Sequence, residues 1–122
     1  MENLELRKKC IELSNQCIAE CRVTAELCKN LPNLGRCMEL CIRCAEECEF
    51  LMSICLKNAI SNPEYYDRCS VSCANCAAEC EKYDIQQLKQ CAEICRKFQL
   101  TYIFQSYQTH QPIHIAFGEP KH

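Results

Sequence analysis

Fifteen cysteines in 122 residues set the chemistry open to this chain. They stand at Cys10, Cys17, Cys21 and Cys28, then at Cys37, Cys41, Cys44, Cys48 and Cys55, then at Cys69, Cys73, Cys76 and Cys80, and last at Cys91 and Cys95. Within each group the steps are three, four or seven residues, so on a helix of 3.6 residues per turn the thiols share one face. That face ordinarily carries leucine and isoleucine. A single buried cysteine can serve as a small hydrophobe. A whole face of them fills a core poorly, because cysteine is smaller than leucine and forfeits contacts. Something must occupy the space between the sulfurs, and soft metal ions are what thiolates select.

Three soft cargoes compete: Cu(I), zinc and iron–sulfur clusters. Zinc wants discrete tetrahedral groups, commonly built from CxxC knuckles on loops. The two CxxC pairs here, Cys41/Cys44 and Cys73/Cys76, are embedded in longer ladders in mid-helix. The compact loop motif of iron–sulfur ferredoxins is absent from the sequence. Cu(I) accepts two or three sulfurs, so a CxxxC pair on one helix could hold an ion by itself. Such pairs occur at Cys17/Cys21, Cys37/Cys41, Cys44/Cys48, Cys69/Cys73, Cys76/Cys80 and Cys91/Cys95, with Cys10, Cys28 and Cys55 completing sites across helices. All fifteen are therefore candidate metal ligands, and the ladder predicts many Cu(I) ions per chain, about one per thiol given ligand softness. That stoichiometry suits storage, not catalysis. The rival readings are a zinc or iron–sulfur protein and a thiol redox protein using the CxxC pairs. Mid-helix placement gives those thiols little help from a helix N-terminus in lowering their pKa.

Four helices are needed to position these faces. Asn3 can cap a helix from Leu4 to about Asn30, after which Leu31-Pro32-Asn33-Leu34-Gly35 breaks the period. A second helix runs from about Leu34 to Ile60. Asn62-Pro63-Glu64 supplies an N-cap side chain, a proline at the first helical position and an early acid, which predicts a third helix from about Pro63 to Lys82. Asp84 followed by Gln87 reads as a capping box and opens a fourth, reaching at least Phe98 and on toward Phe104. Short connections between such helices favour an all-α, antiparallel up-down-up-down four-helix bundle with a cysteine-lined core. The bundle takes residues 1–104, and 105–122 form a tail that packs partly on it or on a neighbouring subunit.

The inward face of the first helix reads Leu6, Cys10, Leu13, Cys17, Cys21, Thr24, Cys28 and Leu31; that of the fourth reads Leu88, Cys91, Cys95, Phe98 and Tyr102. Antiparallel order gathers Leu6, Met52, Tyr65, Phe98 and Tyr102 into an apolar plug at one end. Cys28, Cys37, Cys80 and Cys91 gather toward the other, the expected entrance, although Leu31, Leu34 and Leu88 could close it. Ile11, Ile18, Val23, Ile42, Ile54 and Ile94 lie off the cysteine face and are open to subunit contacts or edge-of-core packing.

Composition narrows the partners. A net charge of −2 and a pI near 5.9 leave no basic patch, which excludes nucleic acid as the expected partner. No segment approaches the apolar length of a membrane helix, and the charged start Met1-Glu2-Asn3-Leu4-Glu5-Leu6-Arg7 lacks the apolar stretch of a secretory signal. The expected compartment is the cytoplasm, where thiols stay reduced. A disulfide scaffold is disfavoured by the odd cysteine count. Spacing also opposes it, because i,i+4 neighbours lie about 5–6 Å apart at Cβ and a disulfide needs about 3.5–4.5 Å. Disulfides between helices remain open on geometry alone. No Ser/His/Asp, paired-carboxylate or phosphate-cradling arrangement suggests an enzyme.

The CxxxC pairs recurring along the helices resemble the bacterial copper storage proteins, whose four-helix bundles are lined with cysteine, over roughly Leu4 to Phe98. The resemblance implies Cu(I) held by thiolates inside the bundle, passage through one open end, and a homotetramer. Without an export leader the chain is similar to the cytosolic branch. It departs from the family in its cysteine-poor fourth helix and aromatic C-terminal segment, which set against full-length filling of the core near Phe98 and Tyr102. Histidine or methionine near the mouth, as the resemblance implies, would nominate His110 and His114 with His122 as an auxiliary site, and Met38 beside Cys37 as a relay. Gln111-Pro112 interrupts any helix through the histidines, and ordinary packing is the competing reading of Met38.

Overall fold

The amphipathic segments fold as four helices: α1 (Leu4–Lys29), α2 (Gly35–Leu56), α3 (Glu64–Cys80) and α4 (Gln86–Gln108). The structure, a computed structural model, describes residues 4–57 and 64–108, without the side chains of Leu4, Leu6 and residues 102–108. Among the described residues there is no strand, and no helix is long and apolar enough to cross a membrane. Each helix packs against its neighbours in sequence, and α1 closes the square against α4.

Pairing across the core fixes the directions. Cys37, Cys41, Cys44 and Cys48 of α2 meet Cys80, Cys76, Cys73 and Cys69 of α3 in reverse order, so these two helices are antiparallel. Cys10 meets Cys55 while Arg22 meets Glu49, which sets α1 against α2 the same way. Glu20 meets Gln87 while Cys17 reaches the carbonyl of Ile94, which does the same for α1 and α4. The up-down-up-down bundle expected from the short connections is what forms. Ion pairs Arg22–Glu49 and Arg68–Glu47 tie neighbouring helices at the surface, and Arg96–Glu81 ties α4 to the turn after α3. Arg22–Glu49, exposed on both sides, contributes about 0–1 kcal/mol and aligns the helices more than it stabilises them.

Several boundaries differ from the sequence expectation. After Lys29 the chain turns, with Asn33 at φ 64 in the left-handed region that asparagine tolerates. Leu31 therefore leaves the inward face and is 36% exposed, while Leu34 and Leu88 are buried. The α3 helix stops at Cys80 rather than Lys82, because the amides of Lys82 and Tyr83 turn back onto the carbonyls of Glu79 and Cys80. The Asp84/Gln87 capping box does not form. The Asp84 carboxylate takes Lys89 at 2.6 Å, and the Gln87 amide donates instead across the bundle to Glu20 and Thr24. Helix α2 ends at Leu56 rather than near Ile60, because the Lys57 amide turns back onto the carbonyls of Ser53 and Ile54 and caps it; the expected caps at Asn3, Asn62 and Pro63 lie outside the described residues.

The plug end is built by different residues from those expected. Tyr66 is buried and Tyr65 is half-buried, its ring set edge-on to Phe50 at 5.5 Å. Leu51 is fully buried while Met52 is half-buried. Both substitutions have one cause. Core positions alternate steps of four and three, so 80, 76, 73 and 69 continue to 66, and 55 continues to 51. Phe98 is buried as expected; the side chains of Leu6 and Tyr102 lie outside those described.

Candidate metal centre

Every cysteine of the chain lies in this core as a free thiol, and none is more than 4% exposed. Their sulfurs fall into four groups able to hold a metal ion: Cys41, Cys76, Cys80 and Cys91; Cys21, Cys76, Cys91 and Cys95; Cys17, Cys73 and Cys95; and Cys44, Cys48 and Cys73. Within a group all sulfurs lie within 4.8 Å of one another. The groups overlap. Cys76 and Cys91 belong to the first two, Cys95 links the second to the third, and Cys73 links the third to the fourth. A continuous thiol column therefore runs along the bundle axis.

The remaining cysteines extend that column. Cys69 lies 3.3 Å from Cys48, Cys37 lies 3.5 Å from Cys80, and Cys10 lies 3.8 Å from Cys55, all measured between sulfurs. Cys28 stands beside Cys37, whose thiol influences its own. Two sulfurs bound to one ion at about 2.3 Å, the length of a Zn–S bond, would stand about 4 Å apart. The thiols are thus spaced for shared ions before any ion arrives.

The shortest sulfur contacts join different helices, and some CxxxC pairs of a single helix share a group with them. Cys76/Cys80, Cys91/Cys95 and Cys44/Cys48 do share a group, but Cys17/Cys21, Cys37/Cys41 and Cys69/Cys73 do not. Nor does either CxxC pair act as a unit: Cys41 and Cys44 fall in different groups, as do Cys73 and Cys76. That arrangement speaks against a zinc knuckle and against a CxxC redox pair, whose sulfurs must meet each other.

Protonation follows from the crowding. Cys76 is pushed up by hydrogen bonds with Cys21, Cys41, Cys44 and Cys80, and Cys28 by removal from water. Cys10, Cys17, Cys21, Cys37, Cys48, Cys73, Cys80 and Cys95 are also raised, in each case with a neighbouring thiol as the leading influence; for Cys48 that leading thiol, Cys17, acts the other way and is outweighed by Cys44 and Cys69. Cys41, Cys44, Cys69 and Cys91 are lowered because adjacent thiols donate to them. A few sulfurs accept from protonated neighbours, and a second negative charge beside them is opposed. Cations replacing those protons would remove the conflict.

At the end where Cys28, Cys37, Cys80 and Cys91 gather, Leu34 and Leu88 cover the column. Beside them Glu79, only 8% exposed, holds Lys82 at 2.9 Å and the Tyr83 hydroxyl at 3.0 Å. Met38 lines an outer groove with Arg22, Ala25, Lys29 and Ile42 and packs on the core from there, which fits its packing role. His110, His114 and His122 lie outside the described residues. Ser14, Ser70 and Tyr66 are buried polar groups that the sequence expectation does not include. For Ser14 the signal was present, since positions 10, 14, 17, 21, 24 and 28 follow one four-three alternation.

Comparison with known proteins places this geometry. The family model described as copper storage protein (Csp) matches residues 3–101. No curated protein and no solved structure matches the chain.

Proposed function

The chain belongs to the copper storage protein family, and from that premise we propose that it binds and stores several Cu(I) ions on the cysteine thiolates inside its bundle. The observation carrying this reading is the overlap of the four thiol groups. A closed zinc site needs four ligands, which in these groups only cysteine supplies, and the two four-thiol groups share Cys76 and Cys91, so they do not form two separate tetrahedral sites. Cu(I), satisfied by two or three soft ligands, can use a sulfur column of this kind along its length.

All fifteen cysteines act as ligands in this reading, and the protein is not an enzyme. Copper enters at the end holding Cys28 and Cys37, since Leu51, Tyr66 and Phe98 fill the other. Passing inward, an ion exchanges one sulfur neighbour for the next through Cys37, Cys80 and the overlapping groups. Each thiol releases its proton as its sulfur–copper bond forms. Fifteen buried free thiols suit a reducing compartment, which supports a cytoplasmic role in copper storage or detoxification. The family resemblance supports a homotetramer of such bundles.

Anaerobic titration of the reduced protein with Cu(I), against a chromogenic chelator, tests the reading. Saturation at four or more ions per chain, one for each thiol group, supports it. Saturation at one or two ions removes it.

A further inference from the structure

Two hydroxyls in the core have no partner. Ser14 and Ser70 are both fully buried, and among the described residues neither Oγ makes a hydrogen bond. Thr24, equally buried on α1, shows the ordinary solution: its hydroxyl donates to the carbonyl of Glu20 at 2.7 Å and accepts from Gln87 at 3.2 Å. A serine in a helix can always donate to the carbonyl one turn back, yet Ser14 and Ser70 do not. An unmet buried donor is costly and in native proteins calls for an explanation.

The position of the pair supplies one. Helices α1 and α3 stand diagonally and run parallel, with Cys21 at 4.0 Å from Cys76 and Cys17 grouped with Cys73. The same register brings Ser14 level with Ser70. Each lies one turn before a member of the Cys17/Cys73/Cys95 group, Ser14 before Cys17 and Ser70 before Cys73. On their other side is the Cys10/Cys55 pair, and Ser70 directly follows Cys69. Both hydroxyls therefore stand at one level, where the thiol column meets its last pair.

Resting on the storage reading, we infer that Ser14 and Ser70 are positioning residues whose hydroxyls donate to thiolate sulfur in the copper-loaded state. A protonated thiol is a weak acceptor. Once its proton leaves and copper binds, the sulfur carries negative charge and accepts a charge-assisted hydrogen bond. The hydroxyls then do for copper-bound sulfur what outer partners do for ligands in other metal sites: they fix orientation and moderate charge. The metal-free protein bears the cost of two idle donors, and the loaded protein recovers it.

The test is the double variant Ser14→Ala/Ser70→Ala in the full chain, with Thr24→Val as control. Thermal unfolding is measured without metal and after anaerobic Cu(I) loading, together with chelator competition. The double variant should melt higher than wild type without metal and lower when loaded. Its capacity should be unchanged, with a subset of ions held about tenfold more weakly. Thr24→Val should lower both melting temperatures. A double variant whose two melting temperatures move in the same direction, or whose competition curve superimposes on wild type, overturns the inference while leaving storage intact. A wild-type chain that takes up only one or two ions overturns both.

Discussion

Cys76 and Cys91, from the facing helices α3 and α4, belong together to two overlapping groups of four thiols. Neither group can be emptied or filled without touching the other. Replacing Cys76 with serine should therefore lower Cu(I) capacity by more than one ion, whereas Cys28→Ser at the end of the column should remove at most one. Equal losses in anaerobic titration would mean that the sulfurs act as independent pairs.

Loading should depend on pH in a definite direction. Ten thiols, Cys76 and Cys21 among them, are raised above their ordinary value by their neighbours and by burial. They keep their protons at neutral pH, so copper must displace them. Apparent affinity should fall as pH drops from 8 to 6, by about tenfold per unit for each proton released, read by competition titration in buffers of different pH. A flat profile would mean that the ligands are already ionised.

The same shifts act on the metal-free protein. A thiol raised in the folded state stabilises the fold below its unfolded pKa, about 8.5, and that contribution is lost as pH climbs further. The four lowered thiols, Cys41, Cys44, Cys69 and Cys91, have the opposite linkage. Their contribution is complete above about pH 8.5 and lost only as pH falls, so they do not offset the alkaline loss. Metal-free protein should melt progressively lower from about pH 9 upward, and copper-loaded protein should not. Calorimetry across that range checks both statements.

How much of this was legible in the sequence depends on what spacing encodes. Period alone assigns all fifteen thiols to inward faces, and all fifteen are buried there. Period does not say which sulfur meets which across helices. That depends on the relative levels of the helices, which set contacts such as Cys48 with Cys69 beside the CxxxC pairs. The plug differs by one residue from the expected Tyr65 and Met52, because the four-three alternation of the core positions selects Tyr66 and Leu51. Asp84 failed as a cap because a lysine five residues on offered its carboxylate an ion pair instead.

Leu88 separates packing from access. It is fully buried where the column nears the surface, and Leu88→Ala should destabilise the metal-free bundle by about 2–5 kcal/mol. It should also speed copper uptake without changing capacity, as followed by stopped-flow transfer from a coloured chelator. Slower or unchanged uptake would place the entrance elsewhere. Arg22→Gln provides contrast: its ion pair with Glu49 is exposed, so stability should change by less than about 1 kcal/mol.

The central claim is that copper lies between the helices on shared sulfurs. Anomalous diffraction at the copper edge, from crystals of the loaded protein, tests it most directly. A row of copper peaks along the bundle axis, each beside two or three cysteine sulfurs and some bridged by Cys76 or Cys91, is the predicted result. Copper confined to the outer surface, or a solitary peak with the other thiols empty, contradicts it.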